Sequence, residues 1–228
     1  MRKLLSVLFL TTIFGAATFA QGPDAQQEPA KKDPPASGYD GYRGRAEVFV
    51  SAFGLFGNQA NGNGIGEQAT QAGGGSAGYR FHLGHTSLLE GRYGFSRNSQ
   101  KFSIGNTVSS VSAYFSEISG SYVYSLPTNR RLQPFLEAGG GVVLFSPDNY
   151  GSTASIYGGS GSATSLPTQA KGMFVYGGGA DFPAGSHLYL RLEFRDVGYK
   201  TPDFGNPLYR SNSFSFSYEP SIGFAYRF

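Results

Sequence analysis

The chain has no cysteine and no tryptophan, only three histidines, and charged side chains at just 14% of its 228 positions. Without cysteine there is no disulfide framework, no thiolate nucleophile and no thiolate metal site. The histidines are His82, His85 and His187, and all three fall at short connections between candidate strands. The spacing His82-x-x-His85 lacks a third ligand nearby, so no metal centre is expected. No basic run is longer than Lys31-Lys32 or Arg130-Arg131, and the formal charge is only +3, which is no footprint for nucleic acid. The Gly158-Gly159-Ser160-Gly161-Ser162 run carries no lysine and no strand-to-helix context, so it is not a phosphate cradle. The carboxylates are dispersed and no base stands beside a nucleophile, so the reading is of a protein that is not an enzyme and uses no cofactor.

No stretch of eighteen apolar residues exists after the start of the chain, which excludes a transmembrane helix. The start itself, residues 1–20, reads as a signal peptide. Arg2 and Lys3 precede a short apolar core from Leu4 to Phe14, and Ala16-Ala17-Thr18-Phe19-Ala20 offers small residues for cleavage. Residues 21–44 are rich in Pro, Gln and charge and have no period, as expected of a disordered periplasmic linker.

What is abundant is glycine, at 34 residues, with 20 Phe and 15 Tyr. Between residues 45 and 228 these fall in strand-length segments of period two. The last is the clearest. In Ser213 to Phe228, Phe214, Phe216, Tyr218, Ile222, Phe224, Tyr226 and Phe228 share one face, and Ser, Gly, Ala, Glu219 and Arg227 the other. His187 to Arg195 sets Leu188, Leu190, Leu192 and Phe194 against Tyr189, Arg191, Glu193 and Arg195. Eight such segments are joined by connections that alternate long and short. The long ones are expected at about 57–72, 98–107, 146–170 and 196–212. This predicts an all-β fold, an eight-stranded antiparallel up-and-down β-barrel. With aromatics outside and charges inside it is a transmembrane barrel. The inverse arrangement, a soluble lipocalin-like ligand carrier, is also self-consistent strand by strand. The scarcity of Lys and the excess of Gly, Ala and Ser on the polar face favour the membrane. Pro220 cannot donate a ladder hydrogen bond, so a bulge or break is expected there.

The segments RAEVFVSAF, GYRFHLGHTSLLEGRYGF, LQPFLEAGGGVVLF, VYGGGADFPAGSHLYLRLEFRD and the ending GFAYRF resemble the small outer-membrane β-barrel family of the OmpA/OmpX kind, over about residues 45–228. The resemblance implies a bacterial outer-membrane location, a barrel in contact with outer-membrane lipid, and a monomer. It also implies that Ile222, Phe224, Tyr226 and Phe228 form the signal read by the barrel-assembly machinery. No peptidoglycan-binding segment is recognised.

The polar faces place Glu47, Arg80, Glu90, Arg92, Glu117, Glu137, Asp181, Arg191, Glu193, Arg195, Glu219 and Arg227 inside the barrel. Buried charges must pair, so these residues are expected to form a salt-bridge network that plugs the interior. The alternative is a narrow porin-like ion channel in which pairs exchange partners. A lipid-acting barrel enzyme is a further, weaker alternative. A surface ligand held by loops 146–170 and 196–212 is the remaining partner expectation, with Asn58, Asn61, Asp148, Tyr150, Tyr157, Tyr199, Lys200, Asp203, Phe204, Tyr209 and Arg210 as contact candidates.

Overall fold

The structure, a computed structural model, describes residues 46–104, 107–128, 132–148, 166–205 and 210–228. The segments expected to be a signal peptide and a linker, and Tyr150, Tyr157 and Tyr209, lie outside these residues.

Eight strands form a closed antiparallel barrel. They are β1 (Ala46–Gly57), β4 (Ala72–His82), β5 (Ser87–Ile104), β6 (Thr107–Ser125), β7 (Gln133–Pro147), β8 (Gln169–Pro183), β9 (Leu188–Lys200) and β10 (Phe214–Arg227). Each pairs with its neighbours along the chain, and β10 closes the ring on β1, with Glu47 opposite Arg227 and Phe53 opposite Ser221. Among the described residues there is no helix. The short connections are tight. Leu83 and Gly84 both donate to the Ser87 carbonyl, and Ala184 donates to that of Leu188.

The ladder between β1 and β10 has no pairs at Gly54 and Leu55 opposite Glu219 and Pro220, and resumes at Phe56–Tyr218 in the same register. Pro220 therefore makes a local break and not a bulge, since no extra residue is inserted. On its other side Pro220 stays in register with Phe194 of β9.

Two of the expected loops are largely strand. Residues 98–107 were expected to be a polar loop, yet β5 and β6 run as one ladder out to the Ile104–Thr107 pair. Residues 57–72 contain a small hairpin, β2 (Ala60–Gly62) and β3 (Ile65–Ala69), whose second strand pairs with Lys101 and its neighbours on β5. Its two-residue turn is Asn63-Gly64, both with positive φ. An Asn-Gly pair between short strands is the sequence mark of a type I′ turn. β9 also continues to Lys200, which shortens the fourth loop.

At 18 and 19 residues, β5 and β6 are well beyond the 9–11 or so that a tilted strand needs to cross a bilayer. The surplus shows in the polarity of the faces. Near the turns, Leu89, Tyr93 and Phe95 of β5 and Ile118, Tyr122 and Tyr124 of β6 point outward, while Glu90, Arg92, Glu117, Ser119 and Ser121 are buried inside. Near the loops the pattern reverses. Arg97 and Lys101 now point outward, and Val111, Ala113 and Phe102 are buried inside. An apolar belt roughly 25 Å tall is what a membrane barrel presents to lipid. Above it the interior is mixed, with Phe102, Val111 and Ala113 buried beside the polar Asn98 and Gln100. The crossover lies near Arg97 and Tyr114, which are cross-strand partners.

That crossover makes two outward positions on one strand inequivalent. Ile118→Lys, at the middle of the belt, should cost about 2–4 kcal/mol. Ser112→Lys, above it, should change stability by less than about 0.5 kcal/mol. Urea titration of the refolded barrel, followed by heat-modifiable gel mobility, checks both; equal effects would place the membrane boundary elsewhere.

Candidate functional site

The barrel interior collects the charged side chains, and the strand registers decide which of them meet. Glu47 lies directly opposite Arg227 on one neighbouring strand and Arg80 on the other. Arg80 faces Glu90, Asp181 faces Arg191, and Glu219 faces Arg195. Opposite charges directly across a ladder are the favourable arrangement. All twelve inward charged residues expected from the sequence are found on the inner face, and eleven of them are fully buried, Arg227 remaining partly accessible.

Toward the turn end, Arg191 Nε donates to Asp181 at 2.7 Å and its Nη2 also reaches Glu47. Arg227 Nε donates to Glu47 at 2.7 Å and its Nη1 to Gln133 at 2.6 Å. One step further in, Arg92 bridges Glu90 at 2.8 Å and Glu193 at 2.7 Å. Arg80 joins the same two carboxylates. Two aromatic rings are threaded between these guanidinium groups. Arg80 sits 4.2 Å from the Phe135 centroid, and Arg92 4.8 Å from that of Phe49. The phenylalanines on the inner face of β1 and β7 therefore act as cation–π platforms. Gly78 leaves the room, since a Cβ there would run into the Phe49 ring and within 2.6 Å of the Gly91 carbonyl oxygen.

Nearer the middle of the barrel the balance changes. Arg195 Nη1 donates to Glu117 at 2.8 Å and Glu219 at 2.9 Å, and its Nε lies 3.3 Å from Glu137. One guanidinium thus serves three carboxylates.

Above this layer lies a cluster the sequence reading missed. Phe102, Phe115, Phe145, Val143, Val197 and Tyr199 fill the bore, and Phe204 from the loop after β9 drops in on top. Phe115 and Phe145 meet edge-to-face at 5.5 Å, and Phe204 packs edge-on against Phe102 at 6.3 Å. Phe204 adopts a positive φ of 47°, and the residues around it are tied down. Gln169 Nε2 donates to Asp203 at 2.6 Å, and the Asp203 N–H returns a bond to Gln169 Oε1 at 3.0 Å. Tyr199 and Phe204, expected as surface contacts, are in fact buried in the bore. The sign that β6 and β7 carry apolar residues on both faces near Phe115 and Phe145 was present in the sequence and reads as this cluster.

Outside the belt, Glu67 of β3 is buried and accepts a bond from the Ser211 hydroxyl at 3.3 Å. Burial pushes its carboxyl up to about 8, against the pull of the Ser211 and Thr201 hydroxyls and of Lys171, and with a smaller push from Asp203. His187, in the last short turn, has its Nδ1 3.0 Å from the Arg227 carbonyl oxygen, a backbone role. Glu90, Glu137 and Glu193 form the one group of three carboxylates, among the described residues, with oxygens within 4.8 Å of one another.

A closed up-and-down barrel with a lipid-facing belt, a charged bore and alternating short and long connections defines an integral β-barrel of the bacterial outer membrane. The chain belongs to the outer membrane protein beta-barrel domain family, whose model matches residues 7–228. The fold is similar to that of Neisserial surface protein A, at 15% identity and a TM-score of 0.52, covering 79% of this chain and 97% of that one. It is also similar to OprG from Pseudomonas aeruginosa, at 11% identity and a TM-score of 0.54, covering 83% and 98%. No curated protein matches the sequence. The short turns are therefore periplasmic and the long loops extracellular, as in barrels of this kind.

Two outcomes follow from this geometry. Arg195→Gln leaves three buried carboxylates facing one another without a counter-ion, and should destabilise the barrel by about 3–5 kcal/mol in a urea titration. For Glu67 the folded-state value is the higher one, so the folded hairpin keeps its proton while the unfolded chain releases it. Stability of β2–β3 is therefore full at acid pH and is lost as pH rises from 4.5 to about 8. Hydrogen exchange of the Ile65–Ala69 amides should show that loss, and Glu67→Gln should flatten it.

Proposed function

We propose that the protein is a closed outer-membrane scaffold that holds a rigid β-stalk and its loops above the membrane for a structural or surface-interaction role. The observation that carries this reading is the double seal of the bore. A layer of paired charges lies in the membrane, and a close-packed aromatic cluster capped by Phe204 lies above it. Eight strands leave a bore that side chains can fill, and here they do. Water-filled conduction needs a continuous polar path, and the layer of Phe115, Phe145 and Tyr199 interrupts it.

The extracellular extension supports the second half of the reading. Strands that outrun the membrane place the loops on a stiff base, and recognition commonly sits on loops so positioned. Loops 146–170 and 196–212 remain the candidate contact regions, with Lys200 and Arg210 exposed on the described part of them. The outward row Ile222, Phe224, Tyr226 and Phe228 on β10 is exposed and uninterrupted, as a signal for the assembly machinery would need to be. The barrel functions as a monomer on this reading, with its ring closed by its own β1 and β10.

Planar-bilayer recording tests the seal. The refolded protein should give no conductance steps at high protein load, and Phe204→Ala should cost about 3–5 kcal/mol of stability while the charge layer keeps the bore silent. Regular open-channel steps from the unaltered protein would replace the scaffold reading with that of a narrow channel. Exchanging both loops for short turns should abolish attachment of whole cells to surfaces without lowering the amount of folded barrel.

A further inference from the structure

The charges inside the membrane-level bore do not balance. Toward the periplasm, Glu47, Glu90, Asp181 and Glu193 meet Arg80, Arg92, Arg191 and Arg227, and each of their carboxylate oxygens accepts a hydrogen bond. Further in, Glu117, Glu137 and Glu219 share Arg195 alone. The bore is short by two positive charges, and the shortage is confined to one layer. Among the seven carboxylates of these two layers, the oxygens without a hydrogen bond lie in it as well. Glu117 Oε2, Glu219 Oε1 and both oxygens of Glu137 have no hydrogen bond.

Glu137 is the focus. It is 4% exposed, and its one close ionic neighbour is Arg195 Nε at 3.3 Å, outside hydrogen-bond geometry. Its carboxylate is aimed toward Glu90 and Glu193, with oxygens of all three within 4.8 Å of one another. Glu90 and Glu193 already bind Arg80 and Arg92, but an ionised carboxylate has about four acceptor sites and can take a second partner.

We propose that Glu90, Glu137 and Glu193 hold a divalent cation inside the barrel, which supplies the two missing positive charges. The donors are all carboxylate oxygens, with no nitrogen or sulfur, and that set selects a hard ion. Hydration selects between hard ions. Mg2+ dehydrates reluctantly and usually keeps several waters, for which a bore filled with side chains leaves little room, whereas Ca2+ accepts a set of protein carboxylate oxygens in flexible geometry. Calcium is therefore the ion expected here. The site is independent of any role for the loops, so it stands or falls separately from the scaffold reading.

The test uses the full mature barrel, refolded in detergent and freed of metal with a chelator. Equilibrium dialysis against Ca2+ should show saturable uptake of one ion per chain, with Mg2+ at least tenfold weaker. Calcium should raise the thermal unfolding midpoint. Glu137→Gln keeps the shape and removes the charge, and should weaken Ca2+ uptake at least tenfold. Asp148→Asn, in the outer part of the chain, should leave it unchanged. Should Glu137→Gln not refold, the stoichiometry and the Ca2+ over Mg2+ preference of the unaltered protein decide. No saturable uptake up to millimolar Ca2+, or uptake indifferent to Glu137→Gln, overturns the proposal. So does a protonated-carboxyl infrared band in metal-free protein that disappears in Glu137→Gln without any calcium binding, because the balancing charge is then a proton.

Discussion

In hydrocarbon there is no water to satisfy a backbone amide, so every strand that crosses must be paired on both sides. The pairing of β10 with β1 meets that demand, and much else in the molecule is a consequence of it. Closing eight strands makes a bore too narrow to be left empty and too narrow for water to screen the charges in it. Side chains must fill it, and charged ones must find partners. The inner faces therefore combine glycine and serine with a few long charged groups. Even the seam tolerates a defect only where it costs little. Pro220 interrupts the ladder over two residue pairs, while its other neighbour β9 and the unchanged register on either side hold the strand in place.

The barrel is one continuous set of strands in two different solvents. In the membrane its outside is apolar and its inside polar. Above the membrane the outward faces of β5 and β6 turn polar and Phe102, Val111 and Ala113 enter the interior beside Asn98 and Gln100, without any break in the ladder. Two readings of the alternation, a membrane barrel and a soluble barrel with an apolar interior, stood as rivals. The membrane barrel is the one found, and an apolar interior appears only as the aromatic cluster above the charged layer. The aromatic cluster around Phe115 and Phe145 is the core of the outer half, and Phe204 closes it as a core residue would. The seal of the bore is thus the meeting of a membrane protein's charged interior with a soluble protein's hydrophobic core.

Much of this was legible from the residues. The period of two marked all eight barrel strands, and it assigned the twelve charged residues to the inner face, because the side a strand residue faces depends only on local geometry. It fell short wherever a second strand had to be known. The partner of each charge depends on register, which alternation alone does not define. Arg92 bridging Glu90 and Glu193 is a product of three strands meeting. The outer extension was read as loop because Asn98, Ser99, Gln100 and Lys101 resemble a polar connection, although Asn63-Gly64 and the apolar pairs around Phe102 already carried the signal of a hairpin and a core.

By itself the sequence determined the fold class and the strand faces, since each rests on composition and local alternation, while its outer-membrane setting was implied by family resemblance. Only the tertiary structure decided that Tyr199 and Phe204 are interior, that the bore is sealed at two levels, and that Arg195 faces three carboxylates alone. Those are facts about which residues share a height in a closed ring. Such heights are set jointly by the registers of all eight strands, and no segment of the chain contains them.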